Sequence, residues 1–211
     1  MTPNPIDDLP LLRTQIAALA ARMIAQDGTE YAVAKRKAAS QLLGDEQPAP
    51  NLLPDNAEVE EEVRRYQALF QGGTQPARLL RLRTVALQVM DALAQFKPYL
   101  TGAVLNGTAG AHDDIHLQLF ADSAKEVQIF LLDKNIEIDI SETPHFKGAR
   151  FDPVETVSFM WHKEGVHAEL YELNDLRGAL KPREGRLQRA DADAVRALMQ
   201  ESDNNVTQEI E

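Results

Sequence analysis

The segment Asp114-Ile115-His116-Leu117-Gln118-Leu119-Phe120 carries a polar side chain at every second position of its first five. Successive side chains of an extended chain point to opposite sides. Asp114, His116 and Gln118 therefore share one face, and Ile115, Leu117 and Leu119 the other. The plain reading is the wet face of an amphipathic strand. The chemical reading adds His112 and His167, which with Asp114 and His116 could assemble a transition-metal site if the later strands lie adjacent. A second candidate is basic: Arg177, Lys181, Arg183, Arg186 and Arg189 fall close together with only Glu184 against them. Such a run can hold a phosphate or a nucleic-acid backbone, or simply be a solvated, proline-interrupted loop. Trp161 offers either a base-stacking ring or a core aromatic. Glu58, Glu60, Glu61 and Glu62 read as the solvated first turn of a helix rather than as a binding surface.

Whole classes of chemistry drop out. The chain has no cysteine, which removes disulfides, thiolate metal sites and a cysteine nucleophile. No Gly-x-x-x-x-Gly-Lys-Ser/Thr, Gly-x-Gly-x-x-Gly, Gly-x-Ser-x-Gly or His-Glu-x-x-His occurs.

The elements that must position these residues fall into two textures. Residues 1–97 read as a helical N-terminal region. Leu12, Ile16, Leu19, Met23 and Ile24 recur at helical spacing after an Asp8 cap, with Gly28 as a stop. Thr29 caps a short helix over Tyr31–Leu43, and the prolines of residues 45–55 mark a linker. Asn56 caps a third helix that Gly72-Gly73 breaks, and a fourth runs from about Pro76 to Phe96. Residues 98–200 read as α+β. Strands are expected at Leu100–Leu105, Asp114–Phe120, Ile136–Ile140, Val154–His162 and Val166–Leu173, with a hairpin turn at Glu164-Gly165. Ser123 and Glu126 form a capping box for an intervening helix, and Ala192–Gln200 is a last one. Residues 201–211 read as a disordered tail. The first two strands are joined too tightly for a parallel crossover. The expected fold is thus a mixed or antiparallel sheet with flanking helices, preceded by the helical region.

Within this frame, Leu105-Asn106-Gly107-Thr108-Ala109-Gly110 followed by Asp114-Ile115-His116-Leu117 resembles the signature of the nucleotidyltransferase superfamily, the polymerase-beta-like fold. That signature is an apolar strand ending in Gly-Ser or Gly-Gly, a strand carrying Asp-x-Asp, and a third carboxylate on a later strand. The resemblance covers roughly residues 98–175 and is to a small bacterial-type member. It implies Asp114, His116 and Glu169 as the catalytic set, with Asp139 competing for the third place. It implies Asp114 and Glu169 as ligands of Mg²⁺, and Gly107 and Thr108 as the turn holding the phosphates of a nucleoside triphosphate. Paired metals would then stabilise the attacking and leaving oxygens. The sequence departs from the pattern most sharply at His116, which stands where the family has a second aspartate and supplies no negative charge.

Two functions follow from the resemblance. One is transfer of a nucleotidyl group to an unknown acceptor with Mg²⁺. The other is a catalytically degenerate member acting as a binding or regulatory module through a protein partner. The net charge of −11 over 211 residues argues against wholesale binding to nucleic acid or anionic membrane. No apolar run reaches the roughly 20 residues of a membrane span. Met1–Asp8 lacks the basic and apolar regions of a signal peptide, so a cytoplasmic location is expected.

Overall fold

A computed structural model describes residues 9–44, 51–179 and 188–208. The chain divides into two compact units, one formed by residues up to Arg78 with Gly110–Asp113, the other by Leu79–Ala109 and the residues from Asp114 on. The change of sequence texture at Pro98 is therefore not where the units part, because residues 79–97 pack with the sheet.

In the helical unit, α1 (Leu9–Asp27) packs against α2 (Tyr31–Leu43) and α3 (Asn56–Phe70). Its core is built largely from alanine: Ala17, Ala20, Ala21, Ala34, Ala38 and Ala39 are buried with Ile16, Val59 and Val63. Small side chains let helix axes approach closely and make the packing sensitive to added volume. The caps differ from those expected. Glu30, not Thr29, precedes α2 and makes no side-chain cap. Asp55, not Asn56, caps α3 in a reciprocal box with Glu58. Glu58 also pairs with Arg13 of α1, Nε to Oε1 at 2.8 Å. The acidic run is thus a capped, ion-paired first turn, with Glu60 and Glu61 on Arg64 and Glu62 on Arg65.

In the sheet unit, five strands run in the order β1-β2-β5-β4-β3. They are β1 (Tyr99–Thr101), β2 (Ile115–Ala121), β3 (Asp139–Thr143), β4 (Val154–Trp161) and β5 (Glu164–Glu172). β2 and β5 are parallel and the other pairs antiparallel, so the fold is α+β with a mixed sheet. The inward face, with Ile115, Leu117, Leu119, Val157, Val166 and Ala168, forms one core with Leu82, Val89 and Met90 of α4 (Gln75–Ala92). Val104 of α5 (Gly102–Asn106), Val127 and Leu131 of α6 (Ala124–Asp133) and Val195 of α8 (Ala192–Gln208) join it. Trp161 packs against this core, which is the core-aromatic reading of that residue.

Four local expectations are corrected. The apolar run Leu100–Leu105 is a strand only to Thr101, after which Gly102–Asn106 turns helical, because Gly102 adopts φ +68° and closes the strand. β3 begins at Asp139 rather than Ile136, since Ile136 caps the end of α6 through its N–H to Leu131 O. The β4–β5 turn centres on His162-Lys163, at φ +49° and +69°, not on Glu164-Gly165. α8 continues through Gln208, beyond the expected Gln200 and into the expected tail, of which residues 209–211 lie outside the described residues. Between β5 and α8 the chain forms α7 (Leu176–Ala179), which carries Arg177. Lys181, Arg183 and Arg186 lie outside the described residues. Among the described residues no helix is long and apolar enough to cross a membrane.

Candidate functional site

The registers of the sheet align a row of polar residues across all five strands. Asp139 of β3 is opposite Ser158 of β4, Ser158 opposite His167 of β5, His167 opposite His116 of β2, and His116 opposite Thr101 of β1. Residues directly paired across strands share a face. All five therefore stand on the face opposite the core formed with α4, α5, α6 and α8, which holds the alternate positions.

Around this row the side chains make specific contacts. His167 Nε2 lies 3.1 Å from Asp114 Oδ2, and His167 Nδ1 lies 2.8 Å from Ser158 Oγ. The His116 and His167 rings stack with centroids 5.0 Å apart. Asp114 can approach because residue 165 is glycine: a Cβ there would fall 2.5 Å from its carboxylate oxygen. Asp114, Glu137, Asp139, Ser158, Gly165 and His167 line a cleft of about 410 Å³, together with apolar neighbours from the same strands. The side chains of His167 and Asp114 are 34% and 46% exposed, so a solute can reach them.

A second cluster sits one step along the same face. Gln118 is opposite Glu169, and its Nε2 donates to Glu169 Oε2 at 2.9 Å. Tyr171 donates its hydroxyl to the same oxygen at 2.7 Å. Burial pushes the Tyr171 phenol well above its ordinary range, and the Glu169 carboxylate raises it further. Arg189 completes the group, its guanidinium 4.5 Å over the Phe146 ring, with Nε and Nη1 buried and without hydrogen-bond partners among the described residues. Burial lowers its pKa, while Tyr171, Glu169 and Tyr99 pull it upward. Burial raises Tyr99 as well, and Asp191 adds to it.

Asp114, His116 and Glu169 thus share a face but not a site. Asp114 belongs with His167, whereas Glu169 is opposite Gln118, four residues further along, or about 13 Å at 3.3 Å per residue. The two carboxylates are moreover engaged apart, Asp114 by His167 and Glu169 by Gln118 and Tyr171, whereas Mg²⁺ needs its ligand oxygens about 2 Å from one ion. Among the described residues no group of three or more His, Asp or Glu side chains is placed to hold a metal. The Asp114–Glu169 pair therefore does not fit a shared Mg²⁺, and Glu137 and Asp139, not Glu169, are the carboxylates that line a cleft with Asp114. The four-ligand transition-metal set is not assembled either, and His112 groups with the helical unit, where its Cβ lies 2.7 Å from the position a Cβ on Gly28 would take.

Gly107 and Thr108 lie elsewhere. Gly107, at φ +83°, caps α5 and faces Arg83 and Leu79, while Thr108 is buried and its N–H donates to Ala103 O. Arg83, whose pKa burial lowers, donates to Val104 O and Leu105 O, so this turn is tied to α4. The glycine beside β2 is Gly102, where a Cβ would lie 3.8 Å from His116.

Ser158 is the site residue that the sequence reading missed. A turn at Glu164-Gly165 shifts the hairpin register by four residues and hides the Ser158–His167 pair. A turn at His162-Lys163 brings them opposite, but neither residue carries the glycine or asparagine that marks such turns. No family model matches the chain, and no curated protein matches it.

Proposed function

We propose that the chain is a nucleotidyltransferase-like module that binds a phosphate-bearing ligand, a nucleoside triphosphate first, without catalysing metal-dependent nucleotidyl transfer. The observation that carries this reading is the separate engagement of the two carboxylates: Asp114 by His167, and Glu169 by Gln118 and Tyr171. Arg189 supports an anionic ligand, because buried guanidinium donors without partners among the described residues are costly until something accepts from them. The helical unit offers a protein partner Leu69 and Phe70, each 70% exposed at the end of α3. The runner-up, nucleotidyl transfer with Mg²⁺ to an unknown acceptor, rests on Asp114, His116 and Glu169 sharing one face.

Thermal unfolding with each of the four common nucleotides, with and without Mg²⁺, tests the binding. At least one is expected to stabilise the protein without the metal, by about 2.7 kcal/mol at one hundred times its dissociation constant, and less in Arg189→Ala. No shift with any nucleotide at millimolar concentration overturns it. Calorimetric titration of Mg²⁺ into the native protein and into His116→Asp decides between the readings. Equal or absent affinity is expected for the degenerate module, and a clear gain in His116→Asp with transfer to a partner favours the enzyme.

A further inference from the structure

The geometry points to Ser158 as a nucleophile activated by His167 and Asp114, serving acyl transfer from a neutral or cationic carboxylic ester. A carboxylate oxygen only accepts a hydrogen bond, so the Asp114 contact fixes the proton of neutral His167 on Nε2. Nδ1 is then the acceptor, and Ser158 Oγ, 2.8 Å away, is its donor. This is the order hydroxyl, imidazole, carboxylate that makes a serine oxygen reactive, with the two ring nitrogens fixed in their roles by their neighbours. It spans three polypeptide segments, the approach to β2, β4 and β5, and each contact depends on the register. Gly165 gives Asp114 room and the His116 ring lies against His167, which makes His116 a positioning residue.

The cleft sets the substrate class. Its ionisable lining among the described residues is Asp114, Glu137, Asp139 and His167, with no lysine or arginine. That field repels phosphate esters and admits an uncharged or positively charged acyl donor. In the step, Ser158 Oγ bonds to the ester carbonyl carbon and the bond from that carbon to the leaving oxygen breaks. The Ser158 proton passes to His167 Nδ1 and on to the departing alkoxide or phenolate. Water reverses the sequence: His167 takes one of its protons, the hydroxyl adds to the carbonyl, the ester bond to Ser158 breaks, and the proton returns to Oγ. This activity uses neither Arg189 nor a nucleotide, so its fate is independent of the binding reading above.

The test uses the full chain with an alkyl fluorophosphonate, a neutral probe that bonds through phosphorus to a reactive serine oxygen and expels fluoride. Intact mass and peptide mapping are expected to place one label on Ser158, and Ser158→Ala to lose it. His167→Gln is expected to slow labelling by about 100-fold or more, the usual range for a general base. Gly165→Ala, outside the relay, is expected to slow it by displacing Asp114, with circular dichroism reporting whether the fold is kept. p-Nitrophenyl acetate should give a burst of nitrophenolate matched by acetyl mass on Ser158. No label on the native protein, a label on another residue, or labelling unaffected by His167→Gln in a folded variant would overturn the assignment.

Discussion

The helical unit and the sheet unit solve the same problem with different materials. The helical unit fills its core with alanines and keeps its ionic groups in caps and surface pairs, such as Asp55–Glu58 and Arg13–Glu58. Its polar side chains satisfy helix ends and one another. The sheet unit puts leucines, isoleucines and valines on one face and leaves the other to a row of serine, histidines and carboxylates. A helix surrounded by two others has only a narrow free stripe, whereas the second face of this sheet sets every second residue of its strands side by side, part of it buried around Phe120 and Tyr171 and part open around His116 and His167. Reactive groups from distant parts of the chain can therefore meet on the sheet.

The largest effect should come from the sheet core. Leu117 is fully buried in β2, an interior strand, and Leu117→Ala is expected to cost about 2–5 kcal/mol. Trp161, the sole tryptophan, lies in this unit, so its fluorescence in a urea titration reads the loss directly. Next is Gly28→Ala in the helical unit. Gly28 sits at φ +63°, and a Cβ would fall 2.7 Å from that of His112. The left-handed backbone alone should cost about 1–2 kcal/mol. The contrast is sharpest if far-ultraviolet circular dichroism reports this loss while the Trp161 transition stays put, and it breaks if both probes move together.

The smallest effect compares one carboxylate from each unit. Arg13's hydrogen bond holds Glu58 below the ordinary carboxylate range, against the opposing effect of burial. Burial pushes Asp175 up, but Lys147 and His145 outweigh it and leave Asp175 lowered as well. A depressed carboxylate contributes stability above its unfolded pKa and loses it as pH falls through the folded value. Both units should therefore weaken below about pH 4, the ordinary value for such groups. Salt should erase the Glu58 part first, since its pair with Arg13 is 41% and 30% exposed while the Asp175 side chain is 18% exposed. Urea midpoints at pH 6 and pH 3, with and without 1 M salt, measure this.

Much of this architecture was legible in the chain. The period of Leu12, Ile16 and Leu19 and the alternation of Ile115, Leu117 and Leu119 gave element types, because burial of one face imposes a repeat on the sequence. Boundaries were less legible wherever a backbone choice rather than a pattern decided them. Gly102 ends β1 by adopting positive φ inside an otherwise uniform apolar run, and Lys163 does the same at a hairpin without the residue type that advertises it.

The site follows the same division. Alternation put Asp114, His116 and Gln118 on one face, since side-chain direction is a local property of an extended chain, and the register of β2 with β5 adds Glu169 to it. Which of them are neighbours is not local. The parallel register of β2 with β5 sets His167, not Glu169, beside His116, and the β4–β5 register sets Ser158 against His167. Register is a choice among alternatives two residues apart that bury the same apolar face, and only the packed sheet and its turns make it. The sequence by itself thus determined which residues share a face of each strand, but not which of them solvent reaches, since Gln118 on the polar face of β2 is buried. The tertiary structure decided which of those meet: Asp114 with His167 and Ser158, and Glu169 with Gln118 and Tyr171.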